Sequence, residues 1–197
     1  MPPEARDEMS IEQLEEVHRE FLVRLGHLGA VVIAGGAVRD AVMGRTPKDY
    51  DVFILGCPFN AESRDAVTER LSTLPSLNQL EFHKSEPFLT GTVSFHVGGK
   101  DVVVQVMTTD AATVQVLLDR FDWNVSRFAF DGAVHALTAI DEIGTGQPLR
   151  LHKVTYPLST LRRGFRFSER FGMEFQRSDV LRLCHLIVAD ENFEAVS

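Results

Sequence analysis

Apolar residues follow helical and strand patterns through the first part of the chain. Residues 10–28 place apolar side chains at helical spacing, and the serine at their start is typical of a helix N-cap. The apolar run at residues 30–34 predicts a short buried strand. Gly35 and Gly36 interrupt that strand, and a short helix is predicted from there to Gly44. The pattern therefore predicts a helix, a strand and a second helix in succession.

A second strand is predicted at residues 50–55, where apolar and other side chains alternate strictly. Asp51 and Phe53 fall on one face of this strand, and Tyr50 and Val52 fall on the other. One face is therefore expected to pack on the core, and the other is expected to carry a carboxylate.

The rest of the chain mixes short strands with helices. Residues 124–130 and 134–139 predict a hairpin, although the first of these segments also fits a helix. The mixture predicts an α+β fold: a sheet with an antiparallel middle, flanked by helices. The other predicted elements are strands at 79–83, 91–97 and 101–107, a hairpin turn at Gly98-Gly99, and helices at 60–74, at 111–119 and from 157 onward.

The pattern also predicts how the chain is organised. Residues 1–28 are expected to form a helix packed on a main α+β domain of residues 29–150, and residues 151–197 are expected to form a small helical extension. The last helix carries apolar residues that are expected to pack on the main domain, on a second copy of the chain or on a separate subunit. These residues are Val180, Leu181, Leu183, Cys184, Ile187 and Val188.

Composition and charge narrow the class of protein. The 197 residues are 44% hydrophobic and 24% charged, with a formal net charge of −8, which argues against a broadly basic surface for long nucleic acids. Residues 150–182 nevertheless hold eight Lys and Arg residues against three acids, which indicates either solvated helix faces or a local site for an anionic ligand. There are only two cysteines, no apolar run long enough to span a membrane and no signal-like start, so a cytoplasmic protein is expected.

The glycine pair between the first strand and the second helix is a candidate phosphate-binding element. Gly35 and Gly36 allow the backbone to approach a ligand closely, and the start of a helix favours negative charge. Arg39, one turn later, adds a charged donor. By itself this pattern also fits an ordinary turn.

Asp49 and Asp51 give that element a chemical context. Residues two apart on a strand point to the same side, so these carboxylates are expected to lie roughly 6–7 Å apart by backbone rise. Two carboxylates this close repel one another unless a cation neutralises them. Mg²⁺ prefers such oxygen ligands, and two Mg²⁺ ions are the expected cofactors for phosphoryl transfer here.

The compound motif resembles a known family. G-G-A-V-R-D at 35–40, followed by D-Y-D at 49–51, is similar to the class II tRNA nucleotidyltransferases (CCA-adding enzymes) and the bacterial poly(A) polymerases, which belong to the DNA-polymerase-β-like nucleotidyltransferase superfamily. R-F-D-W-N-V-S at 120–126 resembles that family's R-R-D-[FL]-T-x-N, and residues 163–172 resemble its arginine-bearing helix. The resemblance covers roughly residues 29–175.

This resemblance implies a polymerase-β-like head, built on a mixed and mostly antiparallel sheet, with a short helical neck. In such enzymes the two aspartates bind Mg²⁺, the glycine segment holds the triphosphate, and the arginine helix contacts the nucleotide. The residues implied are Asp49 and Asp51 as catalytic and metal-binding, and Gly35, Gly36, Arg39, Arg120, Asp122, Arg163 and Arg166 as nucleotide-binding.

Two departures from the family pattern bear on the activity. The family selects its nucleotides with E-D-x-x-R, and here Pro157 and Thr160 replace the aspartate and the arginine. In the superfamily, a third acid is common on a strand next to the one that carries the aspartate pair. At the central position of the strand at 101–107 this chain has Gln105, and its acid, Asp101, lies four residues earlier.

The sequence therefore predicts a Mg²⁺-dependent nucleotidyltransferase that transfers a nucleoside monophosphate from an NTP to a hydroxyl, most simply that of a tRNA-like RNA 3′ end. Two alternatives stay open: a protein or small-molecule acceptor, and a nucleotide-binding relative without catalysis. The expected partners are the NTP and RNA, with a second copy or a separate body subunit on the last helix and no membrane.

Overall fold

The computed structural model describes residues 3–73, 80–81, 89–97 and 100–189. Its main feature is a seven-stranded mixed sheet, in which β2 and β5 pair in parallel and the other neighbours pair antiparallel. The α+β fold predicted from the sequence is confirmed. In spatial order the strands are β3 (Leu80–Glu81), β4 (Leu89–Val97), β5 (Lys100–Thr109), β2 (Asp49–Leu55), β1 (Ala30–Ala34), β6 (Phe128–Phe130) and β7 (Val134–Ala136).

Helices flank this sheet, and a pair of helices follows it. Two further short strands, β8 (Pro148–Leu149) and β9 (Glu174–Phe175), pair in parallel next to the helix pair. None of the described helices is long and apolar enough to cross a membrane. The helices are α1 (Pro3–Leu25), α2 (Gly36–Val42), α3 (Ala61–Leu71), α4 (Val114–Leu118), α5 (Pro157–Phe171) and α6 (Arg177–Ala189), with 3-10 turns at Asn124–Ser126 and Ile140–Glu142.

The side chains of β2 alternate between two separate apolar clusters. Tyr50 and Val52 are fully buried in the larger cluster, which also contains apolar side chains of α1 and α2. Phe53 packs on the smaller cluster, beside Leu117 of α4 and Phe121. Asp49 and Asp51 have the parity of Phe53, so they belong to the face of the sheet opposite the larger core.

Helix α5 docks on the sheet domain through close packing at Gly164. A Cβ atom built there would lie 2.6 Å from Cζ2 of Trp123 and 2.9 Å from a ring carbon of Phe175, so only glycine fits. The indole Nε1 of Trp123 donates a hydrogen bond to the carbonyl of Thr160, at 2.9 Å. Trp123 and Thr160 are both fully buried.

Two buried carboxylates fasten the same helix electrostatically. Arg170 donates to Oδ2 of Asp40 in α2 at 2.9 Å, and Arg163 donates to Oδ2 of Asp122 at 2.8 Å. Asp40 is only 4% exposed and Asp122 is 7% exposed. A buried carboxylate without a partner is costly, so these two acids hold α5 in one position.

Some elements differ from the sequence predictions. Helix α1 begins at Pro3, so Ser10 lies within the helix and is not its cap. The parallel pairing of β2 with β5 and the β8–β9 pair were not predicted, because each joins segments far apart in the chain. The hairpin turn at Gly98-Gly99 lies outside the described residues, as do the ends of the strand predicted at 79–83.

The segment at 124–130 contains both of its predicted conformations, a 3-10 turn at Asn124–Ser126 followed by β6.

On α6, Leu183 is fully buried in the larger core, whereas Leu181 and Val188 are exposed. The apolar face predicted on this helix is therefore divided. The domain boundaries at residues 29 and 151 stay predictions.

Replacing Arg170 with Met is expected to destabilise the fold by about 1–2 kcal/mol, because the buried Asp40 carboxylate loses one of its two arginine partners. Arg166→Met is the matched control: Arg166 is an exposed arginine of the same helix and should change stability by less than about 0.5 kcal/mol. Urea denaturation of both variants measures the difference. Equal effects would contradict the proposed role of Asp40.

Gly164→Ala is expected to destabilise the protein by roughly 1–3 kcal/mol, although alanine normally favours a helix, because the new methyl group collides with Trp123. Ser159→Ala, at an exposed position of α5, should be neutral or slightly stabilising. In a double-mutant cycle with Trp123→Phe, the combined loss should be smaller than the sum of the single losses. An additive result would rule out the collision as the cause.

Candidate functional site

Gly35 brings the β1–α2 connection against Asp51, the second of the two candidate acids. Its φ of +83° lies in the region that L side chains rarely adopt. A Cβ atom there would lie 3.6 Å from Oδ2 of Asp51 and 3.3 Å from the ring of Phe121. The peptide N–H of Gly35 already donates to the carbonyl of Phe128 at 2.8 Å. The conformation and small size of Gly35, and not its N–H group, therefore shape the space beside Asp51.

Asp49 and Asp51 occupy the start of β2 on one face of the sheet. Asp49 is exposed and Asp51 is partly buried. Burial raises the pKa of Asp51 to about 7, and the charge of Asp49 adds to this rise. The positive charge of Arg163 opposes the rise in the pKa of Asp51, so the guanidinium of Arg163 acts on this carboxylate. A pair of acids that repel one another in this way is an arrangement that a bound cation would stabilise.

Arg163 and Asp122, each predicted to bind the nucleotide, contact one another. The guanidinium of Arg163 is held by Oδ2 of Asp122, whose other oxygen accepts the backbone N–H of Trp123 at 3.0 Å. About 40% of the Arg163 side chain is exposed, so it can still reach a ligand. Asp122 itself is buried, which favours a role in positioning Arg163 over direct contact with a nucleotide.

Arg39, predicted to hold the triphosphate, lies in the interior instead. Its Nε donates to Asp40 at 2.9 Å and its Nη1 donates to the carbonyl of Val125 at 3.2 Å. The guanidinium also lies over the ring of Phe171, 4.8 Å from its centroid, and the residue is 2% exposed. Burial lowers the pKa of Arg39, while Asp40 opposes that shift. These contacts tie Arg39 to the packing of α2, and phosphate contact would require breaking them. The role of Arg39 in holding the triphosphate stays a prediction.

Two other predicted arginines do not join this group. Arg120 donates to Asp110 at 2.6 Å and to the hydroxyl of Thr109 at 3.0 Å, and the bond from Arg120 lowers the pKa of Asp110. Arg166 is exposed and makes no polar contact with the residues that the structure describes. Arg120 is therefore already paired elsewhere, whereas Arg166 stays a prediction.

The parallel register of β2 and β5 decides between the two positions considered for a third acid. Asp51 lies directly opposite Gln105. Asp49 lies opposite Val103, and Asp101 comes two residues before Val103 on β5. The carboxylate of Asp101 contacts the ring of His96 at 2.8 Å. Gln105 is therefore the neighbour of the aspartate pair, and Asp101 is not. Within the described part of the chain, no group of three or more His, Cys, Asp or Glu residues could hold a metal ion.

The residues at the two positions aligned with the nucleotide-selecting motif belong to the start and the packing of α5. Thr160 is fully buried beneath Trp123, and its hydroxyl has no hydrogen-bond partner among the described residues. Pro157 is the first residue of α5. Asp40, by contrast, was missed as a site-supporting residue. The sequence analysis gave Asp40 no role, and nothing nearby in the sequence indicated its contact with Arg170.

Solved structures similar to this fold are CCA-adding enzymes. The Thermotoga maritima CCA-adding enzyme complexed with a tRNA aligns with a TM-score of 0.61 and 18% identity over 92% of this chain and 45% of that one. A CCA-adding enzyme in an apo form aligns with a TM-score of 0.61 and 20% identity, covering 91% of this chain and 44% of that one. A third, in complex with CTP, has a TM-score of 0.58 and 20% identity, covering 91% and 43%.

At this identity the likeness establishes a nucleotidyltransferase-like fold, with CCA-adding enzyme heads as its structural neighbours. The chain spans less than half the length of each of these proteins. No curated protein matches the sequence. A family model described as "Gabija anti-defense 2 family protein" matches residues 8–152, which is more than half of the chain. The chain therefore belongs to the Gabija anti-defense 2 family.

Proposed function

We propose that this protein is a Mg²⁺-dependent nucleotidyltransferase, which transfers a nucleoside monophosphate from an NTP to a hydroxyl group. One observation carries the proposal: Gly35 lies against Asp51, which shares one strand face with Asp49, and the charge of Arg163 acts on that carboxylate. Two carboxylates that repel one another beside a glycine turn are costly in a surface that has only a structural role, and a bound cation would remove that cost. The nucleotidyltransferase-like fold supports the same chemistry.

The residues present suit a divalent cation and a triphosphate. Asp49 and Asp51 would hold Mg²⁺, which when bound lowers the pKa of an attacking hydroxyl and neutralises the charge that develops on the phosphate. The missing side chain at Gly35 leaves room beside Asp51 for phosphate oxygens. Arg163, oriented by Asp122, would donate to the nucleotide, and the exposed Arg166 lies one helical turn further along α5.

The proposed reaction forms one bond and breaks one. The acceptor oxygen attacks the α-phosphorus and forms the new P–O bond, while the bond from that phosphorus to the pyrophosphate leaving group breaks. The hydroxyl proton passes to solvent. Asp49 and Asp51 on one strand face and the charge of Arg163 acting on Asp51 suit the positioning and charge stabilisation that provide most of the catalysis in phosphoryl transfer.

Two acceptors should be tested first. One of the CCA-adding enzyme neighbours is complexed with a tRNA, and so an RNA 3′ end is the simplest acceptor. The family description names Gabija as the target of the anti-defense activity, which favours a Gabija component as the acceptor that is modified. Identifying the labelled product separates these two, and nucleotide binding without any labelled product would indicate a non-catalytic relative.

Replacing both Asp49 and Asp51 with Ala is expected to lower nucleotide transfer by at least about a thousandfold, because the carboxylates that neutralise and position the cation are lost. The assay incubates the protein and Mg²⁺ with each α-labelled NTP in turn, together with total RNA or purified Gabija components. The control is Asp65→Ala with Glu69→Ala, which removes two exposed acids of α3 and should leave the rate unchanged. Absence of transfer by the wild-type protein, or transfer that survives the Asp49/Asp51 double substitution, would refute the proposal.

Asp51→Asn is expected to stabilise the metal-free protein at pH 8 by roughly 1–3 kcal/mol relative to wild type. The folded protein holds the Asp51 proton up to a pKa of about 7. The unfolded chain releases it near pH 4. The wild type therefore loses stability as the pH rises between these values, and asparagine removes that loss.

Denaturation in EDTA at pH 4, 6 and 8 measures the effect. The advantage of Asp51→Asn should be small at pH 4 and largest at pH 8, and Asp49→Asn should show a smaller change, because Asp49 is exposed. Added Mg²⁺ should reduce the pH dependence of the wild type. An advantage that does not vary with pH would contradict the raised pKa of Asp51.

A further inference from the structure

The number of cations that the site holds can be read from the sheet register around Asp51. Its partner on β1 is Ala34 and its partner on β5 is Gln105. Neighbouring strands lie about 4.8 Å apart, and paired residues point to the same face. The two positions nearest to Asp51 across the sheet are therefore both uncharged.

The positions that pair across the sheet from Asp49 are uncharged as well. Asp49 pairs with Val103 on β5, and Val103 pairs in turn with Ser94 on β4. The Val103 side chain is 41% exposed on this face of the sheet. Both carboxylates of the site thus come from β2. On the described neighbouring strands, none of the positions paired with Asp49 or Asp51 is an acid.

A second cation would need ligands of its own beyond the two carboxylates of β2. The ions of two-cation sites lie roughly 3.5–4 Å apart, and they clamp the attacking and leaving oxygens together. One Mg²⁺, in contrast, is commonly held by one or two carboxylates together with substrate phosphates, its other ligands being water. The positive charge of Arg163 already acts on Asp51. A second divalent ion on the β5 side would meet the neutral carboxamide of Gln105 and the apolar Val103, and neither adds the negative charge that would hold it firmly.

We propose that this site binds one divalent cation with its nucleotide, and that Gln105 is the residue that sets this number. The inference rests on the proposed function, since it assumes that Asp49 and Asp51 hold a cation. It departs from the two ions that the sequence favours. Gln105 is then a specificity-determining position: an acid there would supply the missing ligand on β5, one strand away from Asp51.

Counting bound Mn²⁺ in the presence of a non-hydrolysable NTP analogue tests this directly, by electron paramagnetic resonance or by equilibrium dialysis. The wild type is expected to bind one Mn²⁺ per chain, and Gln105→Glu is expected to bind two. Gln105→Met, with a side chain of similar length and no polar ligand, should still bind one. Gln147→Glu adds the same charge at an exposed position outside the sheet and should also bind one.

The outcomes separate the two proposals. Two ions of comparable affinity on the wild type, or a single ion on Gln105→Glu, would overturn the role of Gln105 while leaving the nucleotidyltransferase proposal intact. No Mn²⁺ on the wild type, or binding that is unchanged in Asp49→Ala plus Asp51→Ala, would overturn both proposals. Circular dichroism and thermal melting of each variant show that any loss of binding does not come from unfolding.

Discussion

The site depends on two buried carboxylates that must find cationic partners. Asp40 and Asp122 lie at the edge of the sheet domain, and each is satisfied by an arginine of α5. Leaving either acid unpaired would cost several kcal/mol, which is a large part of the stability of an ordinary domain. The position of α5 is therefore fixed by charge as well as by the packing of Gly164 on Trp123.

This constraint explains how the candidate site is divided between two parts of the molecule. The sheet supplies Asp49, Asp51 and the loop at Gly35, and α5 supplies the arginine that acts on Asp51. Asp122 links the two parts, since it holds Arg163 and belongs to the segment that leads into the Asn124–Ser126 turn. A change in the docking of α5 would thus alter the charge at Asp51 without any change in the sheet.

Local patterns were enough to predict the parts of this arrangement that are built from neighbouring residues. Strands β1 and β2, the glycine turn and the shared face of Asp49 and Asp51 all follow from short-range spacing, and the structure contains each of them. The partners of the arginines could not be predicted in this way. Arg39 and Arg163 look equivalent as candidate donors in the sequence, and only the folded chain shows that one is buried against Asp40 while the other stays accessible. The same limit applies to Gln105, whose place beside Asp51 depends on a parallel pairing across more than fifty residues.

Packing also explains why this chain lacks the nucleotide-selecting arginine of the family it resembles. The position aligned with the selecting arginine is Thr160, whose carbonyl accepts the indole N–H of Trp123 and whose side chain is fully enclosed. An arginine side chain there would have to displace Trp123, which is held in turn against Gly164. The change at Thr160 is therefore tied to the way α5 docks and is not an isolated substitution. Any side chain of α5 that reads a base must come from an exposed position, and Arg163 and Arg166 both remain accessible.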